Sequence, residues 1–425
     1  MKKWLVGFTA LAGLSAALVA AQGQPLLFLS TQFTPIEEAQ RMRTSILSGF
    51  QNVDFLPQDP APFVDRIIAE MRANKVNVGV IGGQHGDFPN LAVAGALDDL
   101  DDVMARLKDR KFPANYVTLG KLGGNDQLYI PWMQATYIMV ANKEALKYLP
   151  AGVNINSISY LQLAAWGANI QKATGQRKLG FPAGPRGLMH RFFQGYLLPS
   201  YTGSVVTKFR SAGAQTAWKD LKTIWQYVNP QSTAYDFMQE PLLSGEVWVA
   251  WDHVARLRQA LTQRPNDFVT FAAPAGPRGV GYMPVVAGLA IPKGTPDRAR
   301  SVALIEYLTR PDVQARTLRE NGFFPVIGAP LPTDLPVGLQ MMADAVARYG
   351  KNKNVVSSLL PLGLGARSGE FNKVYSDTFQ RIILRNENIP NVLDAQANEL
   401  KRVINDAKAP CWAPDAPSSG PCPVD

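Results

Sequence analysis

The chain has 425 residues, of which 46% are apolar and 18% are charged, with 35 Gly, 32 Pro and two cysteines. This composition is typical of a globular protein of two or three domains, and it excludes disordered, collagen-like and disulfide-dense classes. The formal charge is +9, but 43 Lys and Arg are offset by 34 Asp and Glu along the chain, so the protein is not a polycation.

The N-terminal segment has the features of a secretory signal peptide. Lys2 and Lys3 precede an apolar run over residues 4–19, and Val19 and Ala21 place small residues at the positions that signal peptidase requires. No other long apolar run exists, which excludes a polytopic membrane protein. We expect cleavage after Ala21 and a soluble protein in the periplasm or outside the cell. An uncleaved anchor helix is the alternative.

Beyond the signal, apolar runs alternate with helical periodicity. The pattern predicts strands at residues 25–30, 53–56 and 76–81 and helices at residues 35–50 and 59–72. Such alternation indicates a parallel or mixed sheet with helices on both faces. In sheets of this kind, ligands bind where loops leave the carboxyl ends of the strands.

The remaining chain continues the alternation without a repeat or a long linker. We predict strands at residues 136–141 and 286–292, helices at residues 159–173, 214–228 and 295–308, and a helix end, a Gly, a short strand and a turn over residues 243–252. Because nothing separates two lobes as independent units, we expect the chain to cross between them more than once.

Motifs for catalysis are missing from the sequence. It contains no G-x-S-x-G, H-E-x-x-H, C-x-x-C, G-x-x-x-x-G-K-[ST] or G-x-G-x-x-G pattern. The acidic run from Asp98 to Asp102 lacks the Gly and the terminal Glu of a calcium loop. Basic residues form no stripe interleaved with aromatics, so nucleic-acid binding is not indicated. We expect no catalytic residues, no metal and no cofactor. A glycan hydrolase with two converging carboxyl groups stays open as a minor alternative.

Both cysteines, Cys411 and Cys422, lie in a Pro-rich C-terminal tail. An even number of cysteines in an oxidising compartment indicates a disulfide. A two-Cys metal site would need further ligands, and the three histidines are distant in sequence. We expect this disulfide to pin the tail to the protein surface.

Six segments occur in an order that resembles one family. They are Val76–Gly83 with Leu91–Leu100, Gln127–Trp132 with Tyr137–Lys143, Leu243–Asp252, Val286–Gly294 with Ala299–Pro311, Gly322–Pro325, and Asn391–Leu400. Together they resemble an extracellular solute-binding protein of a bacterial ABC importer, of the carbohydrate type related to the maltodextrin-binding proteins. The resemblance runs from about residue 25 to residue 406.

The resemblance implies an α/β, two-lobed periplasmic-binding-protein fold of the type II-like class, with mixed sheets flanked by helices and a ligand cleft between the lobes. The predicted domains are residues 1–21 as signal peptide, 22–135 plus 284–345 as lobe 1, 136–283 plus 346–408 as lobe 2, and 409–425 as a disulfide-bearing tail.

The same resemblance implies a function without chemistry. A monomeric protein would capture a mono- or short oligosaccharide with high affinity by hinge closure and deliver it to the membrane permease of an ABC importer. The alternative keeps the scaffold but binds an anionic ligand, such as a phosphorylated polyol or an acidic sugar, with Arg186 or Arg256 as the clamp.

A sugar ligand needs an aromatic platform and polar groups at its edge. Trp251 matches a tryptophan of the family pattern and is the first candidate for the platform, with a core position as the alternative. Its neighbour Asp252 could accept from sugar hydroxyls or cap the next helix, and Trp132 could face the cleft or pack the hinge. The further candidates lie on loops next to predicted strands or in the second-lobe segment: Gln32, Gln84, His85, Asp87, Arg186, His190, Tyr282 and Phe324.

Overall fold

The computed structural model describes residues 24–425. The predicted signal peptide and its cleavage site lie outside the described residues. Within this range no helix is both long and apolar enough to cross a membrane.

The strands are short and mostly buried. They are β1 (Leu26–Ser30), β2 (Val53–Pro57), β3 (Val78–Gln84), β4 (Ile130–Ala135), β5 (Tyr137–Asn142), β6 (Leu179–Gly180), β7 (Val249–His253), β8 (Phe268–Phe271), β9 (Ala275–Gly276), β10 (Gly279–Tyr282), β11 (Val285–Ala290) and β12 (Val355–Ser357).

The helices lie between these strands and after the last of them. They are α1 (Ile36–Thr44), α2 (Pro60–Arg72), α3 (Phe88–Val93), α4 (Asp101–Arg106), α5 (Ala114–Gly120), α6 (Tyr160–Thr174), α7 (Met189–Phe192), α8 (Leu198–Thr202), α9 (Ala212–Trp225), α10 (Gln239–Ser244), α11 (Val254–Gln263), α12 (Arg298–Leu308), α13 (Pro311–Asn321), α14 (Val337–Lys351), α15 (Ser368–Phe379) and α16 (Ile389–Ala407). A π-helical turn, Phe193–Leu197, joins α7 to α8, and another, Gln380–Leu384, follows α15.

Two sheets form the centres of two lobes. The first has the order β2-β1-β3-β11-β4, in which β1 is parallel to β2 and β3 while β11 is antiparallel to both of its neighbours. The second has the order β6-β7-β5-β8, in which β5 is antiparallel to β7 and β8. A small sheet, β12-β10-β9, lies beside the second. The structure confirms the predicted α/β architecture of two lobes built on mixed sheets.

The chain passes between the lobes at two adjacent points. Thr136 joins β4 to β5, and Met283 lies between β10 and β11. The Thr136 hydroxyl donates to the carbonyl of Met283 at 2.9 Å and lies 2.9 Å from the Tyr196 hydroxyl. Because both connections meet through one side chain, these residues are well placed to act as the hinge.

A third passage follows α13. Phe324 exchanges backbone hydrogen bonds with Gln134 of β4, and α14 then packs against α11 and β8 of the second sheet. The Thr270 hydroxyl donates to the carbonyl of Met341 at 2.8 Å. The predicted boundary at residue 345 would divide α14, so we place the end of lobe 1 before this helix.

Most predicted elements appear within a few residues of their expected ends. Strand β3 is longer than the predicted run, because Gly83 and Gln84 pair with β11. The predicted helix at 35–50 ends at Thr44 and gives way to a 3-10 turn. The predicted helix at 295–308 begins at Arg298, because the Asp297 side chain accepts a hydrogen bond from the backbone N–H of Arg300 at 3.0 Å.

The C-terminal tail, residues 409–425, is attached by more than its disulfide. The bond between Cys411 and Cys422 is formed, as the sequence predicted. Trp412 packs against Phe371 of α15, with the ring centres 5.4 Å apart. The backbone N–H of Leu359 donates to the carbonyl of Ala413 at 3.0 Å. The tail therefore holds the segment that follows β12.

Candidate functional site

A chamber of about 310 Å³ lies between the two lobes; we call it the inner chamber. Its volume is at the lower end of the roughly 300–1,000 Å³ that is typical of small-molecule sites. Both lobes and the crossing strands contribute lining residues, which are Thr31, Gln32, Phe33, Thr34, Pro35, Glu38, Gln84, Tyr137, Leu188, Arg191, Phe237, His253, Ala255, Arg256, Val285, Phe323 and Leu360.

Tyr137 is positioned at the hinge end of the chamber. Its ring stacks on Trp251, with the centres 4.6 Å apart and the planes 5° from parallel, and it meets Tyr196 and His253 edge-on. Its hydroxyl makes no hydrogen bond within residues 24–425. Burial raises the pKa of Tyr137 to about 12, so the hydroxyl is neutral. It can therefore donate to a ligand and accept from one.

Two arginines of the second lobe line the chamber. Arg256 on α11 donates to the carbonyl of Asp236 at 3.0 Å, and its guanidinium lies over the Phe237 ring at 4.4 Å. Arg191 on α7 donates to the side-chain carbonyl of Gln194 at 3.3 Å.

The first lobe supplies the loops at the ends of β1 and β3, as expected for a sheet of this kind. Asp87 accepts from the Thr31 hydroxyl and from the backbone N–H of Gln84, both at 2.8 Å, and so ties the two loops together. The amide nitrogen of Gln32 donates to the Thr31 hydroxyl at 3.0 Å. Burial raises the pKa of Asp87 to about 6, an effect that these hydrogen bonds and Arg191 partly offset.

The end of β7 forms the opposite wall. Asp252 is fully buried and accepts from the backbone N–H groups of Met238 and His253, at 2.9 and 2.7 Å. Burial raises its pKa to about 6. The His253 ring caps α11 by accepting from the backbone N–H of Ala255 at 3.3 Å, and burial, with Arg256 nearby, lowers its pKa to about 3. His253 is therefore neutral at physiological pH.

A wider outer vestibule of about 670 Å³ borders the inner chamber. It is lined by α1 of the first lobe and by α10 and α11 of the second, and it shares Pro35, Glu38, Phe237, Ala255 and Arg256 with the chamber. Desolvation raises the pKa of Glu38, although Arg41, Arg256 and Arg258 oppose the shift. The boundary between the outer vestibule and the inner chamber, which we call the mouth, is therefore polar and carries the charged residues Glu38 and Arg256.

Two of the predicted ligand residues, Gln32 and Gln84, line the chamber. Trp251 lies behind Tyr137, fully buried between this residue, Phe192 and Tyr196. Trp132 is also fully buried, packed against Phe28 and Phe33. The structure thus places both tryptophans in the core behind the chamber. Asp252 lies there too, because backbone N–H groups hold both of its oxygens.

The other predicted residues lie outside the lining as well. His85 is buried against Tyr129, whose hydroxyl is 2.8 Å from its ring nitrogen. Arg186 is exposed and forms an ion pair with Asp236 at 3.0 Å. Tyr282 stacks on Tyr349, Phe324 bridges to β4, Asp87 lies behind Thr31, and His190 lies beside Arg191 on α7.

Sequence analysis missed Tyr137, Arg191, His253 and Phe323 as lining residues. A signal for Tyr137 and His253 exists in their positions, since each lies at the end of a strand that meets the hinge. No such signal exists for Arg191, because the four-residue helix that carries it is too short to show a periodic pattern.

One group of acids could be considered for a metal ion. The carboxylates of Asp99, Asp101 and Asp126 lie within 4.8 Å of one another and are exposed. Asp99 accepts from the backbone N–H of Asp101, and Asp101 accepts from that of Gln127. These hydrogen bonds at the start of α4 account for the positions of two of the three acids.

Comparisons with known proteins agree with this architecture. The family model for "Bacterial extracellular solute-binding protein" matches residues 53–315. No curated protein matches the sequence. Among solved structures, the maltose-bound MalE3 of T. maritima is 16% identical, with a TM-score of 0.71, over 90% of this chain and 100% of that chain. The sugar-binding protein MalE of Xanthomonas citri is 18% identical, with a TM-score of 0.67, over 89% and 97%. UgpB of Mycobacterium tuberculosis, solved with glycerophosphocholine, is 17% identical, with a TM-score of 0.67, over 90% and 99%. At these identities the likeness establishes the fold alone.

Proposed function

This chain belongs to the bacterial extracellular solute-binding protein family, and from that premise we propose that it captures a small sugar between its lobes and delivers it to an ABC permease. Binding is the whole of its activity, with no chemical step. The protein acts as an exported monomer in the periplasm or outside the cell, after cleavage following Ala21.

The observation that carries this proposal is the inner chamber. It takes residues from both lobes and from the crossing strands, so a ligand there contacts both lobes at once. A ligand that binds both lobes stabilises the closed arrangement over the open one. Its volume of about 310 Å³ suits a mono- or disaccharide better than a long glycan.

The chamber also has the chemistry that a sugar requires. The ring of Phe323 and the side chain of Leu360 offer apolar surface, while Gln32, Gln84 and the Tyr137 hydroxyl offer donors and acceptors. Glycoside hydrolysis uses two carboxyl groups. Among the described lining residues, Glu38 alone carries one, which favours capture over cleavage.

A thermal-unfolding screen of the mature protein against mono- and disaccharides and polyols tests the proposal. A sugar at 100 times its Kd adds about 2.7 kcal/mol to the free energy of unfolding. We expect a raised Tm and, by small-angle X-ray scattering, a smaller radius of gyration with the same sugar. Gln32→Ala should weaken the response, and Gln176→Ala, an exposed control, should not. Turnover of an oligosaccharide into products would contradict it.

A further inference from the structure

The two arginines of the inner chamber are held by uncharged partners. Arg256 donates to the backbone carbonyls of Asp236 and Arg186, at 3.0 and 3.4 Å, and its guanidinium lies over the Phe237 ring. Arg191 donates to Gln194, which in turn donates to the side chain of Asn372 at 3.0 Å. These contacts hold each guanidinium through neutral groups, so neither arginine depends on a close ion pair for its position.

A neighbouring arginine shows the contrast. Arg186 forms an ion pair with Asp236, through Nε at 3.0 Å, and its side chain is mostly exposed. Within residues 24–425, neither Arg191 nor Arg256 has a carboxylate oxygen within the 4.0 Å of an ion pair. Both line the inner chamber between the lobes, where a charge without a close partner is less well solvated than at the protein surface.

The acids near the chamber act on the two arginines only beyond ion-pair distance: Arg191 opposes the rise in the pKa of Asp87, and Arg256 opposes that of Asp252. Asp87 is engaged by Thr31 and the backbone of Gln84, and Asp252 by two backbone N–H groups. Neither is a lining residue, and Glu38 lies at the mouth shared with the outer vestibule. Among the described lining residues, the two arginines thus outnumber the one acid, Glu38.

Arg191 and Arg256 both affect the pKa values of the same two side chains. Arg191 and Arg256 both lower the pKa of His190, whose burial is the larger cause, and both oppose the rise in the pKa of Tyr137. His190 stays neutral beside them and adds no charge. Both arginines line the same chamber as Tyr137.

From this arrangement we propose that the ligand carries one oxyanion group, a carboxylate or a phosphate, and that Arg191 and Arg256 bind it while the polar loops of the first lobe bind a small hydroxylated body. Guanidinium groups suit this task, because their planar array of N–H donors matches the oxygens of carboxylate and phosphate. The inference rests on the proposed function and deepens it by giving the ligand a charge.

Calorimetric titration of the mature protein with four probes tests it. The probes are a neutral hexose, the corresponding hexuronate, the hexose phosphate and glycerol phosphate. We expect binding to at least one anionic probe, and the carboxylate and phosphate arms distinguish the two sources of charge. Arg191→Gln and Arg256→Gln should each weaken that binding by roughly 10- to 100-fold. Arg191→Lys should retain part of the affinity, because it keeps the positive charge.

Arg186→Gln is the matched control, since this nearby arginine is already paired and lies outside the chamber; it should change affinity by less than about three-fold. Binding of the neutral hexose alone would overturn this inference and leave the proposed function standing. If none of the four probes binds, the inference is overturned and the result also counts against the proposed function. If Arg186→Gln weakens anion binding as much as Arg191→Gln does, the assignment of the anion to the chamber is overturned.

Discussion

The side chain of Tyr137 has two different environments: its ring packs in the core, and its hydroxyl lies at the inner chamber. Its ring fills the core against Trp251, Tyr196 and His253, while its hydroxyl has no partner among the described residues and reaches the inner chamber. Removal of the hydroxyl should therefore affect the ligand and not the fold.

We predict that Tyr137→Phe lowers ligand affinity by about two- to ten-fold, which corresponds to the loss of one hydrogen bond of roughly 0.5–1.5 kcal/mol. The free energy of unfolding of the ligand-free protein should change by less than about 0.5 kcal/mol, because the ring stack is retained. Calorimetric titration and urea unfolding measure the two quantities. An unchanged affinity would mean that the hydroxyl does not contact the ligand.

His253 makes stability depend on pH. Burial lowers its pKa from 6.5 to about 3, so on acidification the unfolded chain binds a proton at this residue before the folded chain does. Stability present above pH 6.5 is consequently lost as pH falls from 6.5 toward 3, at roughly 1.4 kcal/mol per pH unit for one such group.

We predict that His253→Asn removes this slope. Asparagine is a good helix cap, so it can replace the acceptor that His253 offers to Ala255. At pH 7.5 the two proteins should be similar in stability, and at pH 4 the wild type should have lost about 3 kcal/mol more. His85 and His190 titrate in both proteins and cancel in the difference. Parallel pH profiles from urea unfolding would contradict the prediction.

The residues around the inner chamber show how much of a site the sequence patterns can predict. The short strand that carries Trp251 could be predicted, although the predicted segment ended at residue 252; in the structure His253 belongs to the same strand, and alternation puts its side chain on the same face as Trp251. Which of the two reaches the chamber depends on pairing with β5: His253 is opposite Tyr137 at the strand end, and Trp251 is two residues deeper. The depth of a side chain below the chamber is set by tertiary packing. The sequence therefore predicted the strand that forms this wall but not which of its side chains lines the chamber.

Single helices were predictable, and their packing partners were less so. Helices α6, α9 and α12 are found near their expected bounds, and the caps Ser159, Ser211 and Asp297 mark where each begins. The sequence could not show that α14 joins the second sheet, since this depends on where the chain passes between the lobes after α13.

The tail was predicted as a disulfide loop, but its main attachment is a carboxylate. Asp415 is buried and accepts five hydrogen bonds from residues 204–207, among them the backbone N–H groups of Val205, Val206 and Thr207 at 2.8, 3.0 and 2.9 Å. A carboxylate suits this site, because it has only acceptors and every neighbour here donates.

We predict that Asp415→Asn lowers the free energy of unfolding by about 2–4 kcal/mol, because the amide presents N–H donors to N–H donors in a buried site. Asp425→Asn is the matched control in the same tail, since Asp425 accepts a hydrogen bond from the backbone N–H of Arg210 at an exposed position. Its effect should stay below about 0.5 kcal/mol. Guanidinium unfolding measures both, and equal effects would argue against the role of the buried network.

At the scale of the whole molecule, the loop that follows β12 touches both lobes. Residues 358–367, which we call the rim loop, follow β12 and are attached to the second lobe by Ser358, which donates to the carbonyls of Tyr282 and Gln194. The rim loop contributes Leu360 to the inner chamber and places the carbonyl of Pro361 against Gly86 of the first lobe. It thus bridges the two lobes at one side of the inner chamber.

Gly86 offers a way to test closure of the lobes directly. A Cβ added at this position would lie 2.4 Å from the Pro361 carbonyl oxygen, which is too close for the closed arrangement. Because Pro361 belongs to the other lobe, opening the cleft relieves the clash without unfolding either lobe. We predict that Gly86→Ala lowers ligand affinity by roughly ten-fold or more, since a closed state destabilised by 1.4 kcal/mol reduces affinity ten-fold.

The ligand-free Gly86→Ala protein should unfold at nearly the same denaturant concentration as the wild type. In saturating ligand its radius of gyration, measured by small-angle X-ray scattering, should remain closer to that of the free protein. Gly369→Ala is the control, because a Cβ there meets nothing within 4 Å. If Gly86→Ala binds ligand as the wild type does and contracts equally, contact between the rim loop and the first lobe is not part of closure. If it unfolds early without ligand, the clash lies in the resting protein as well.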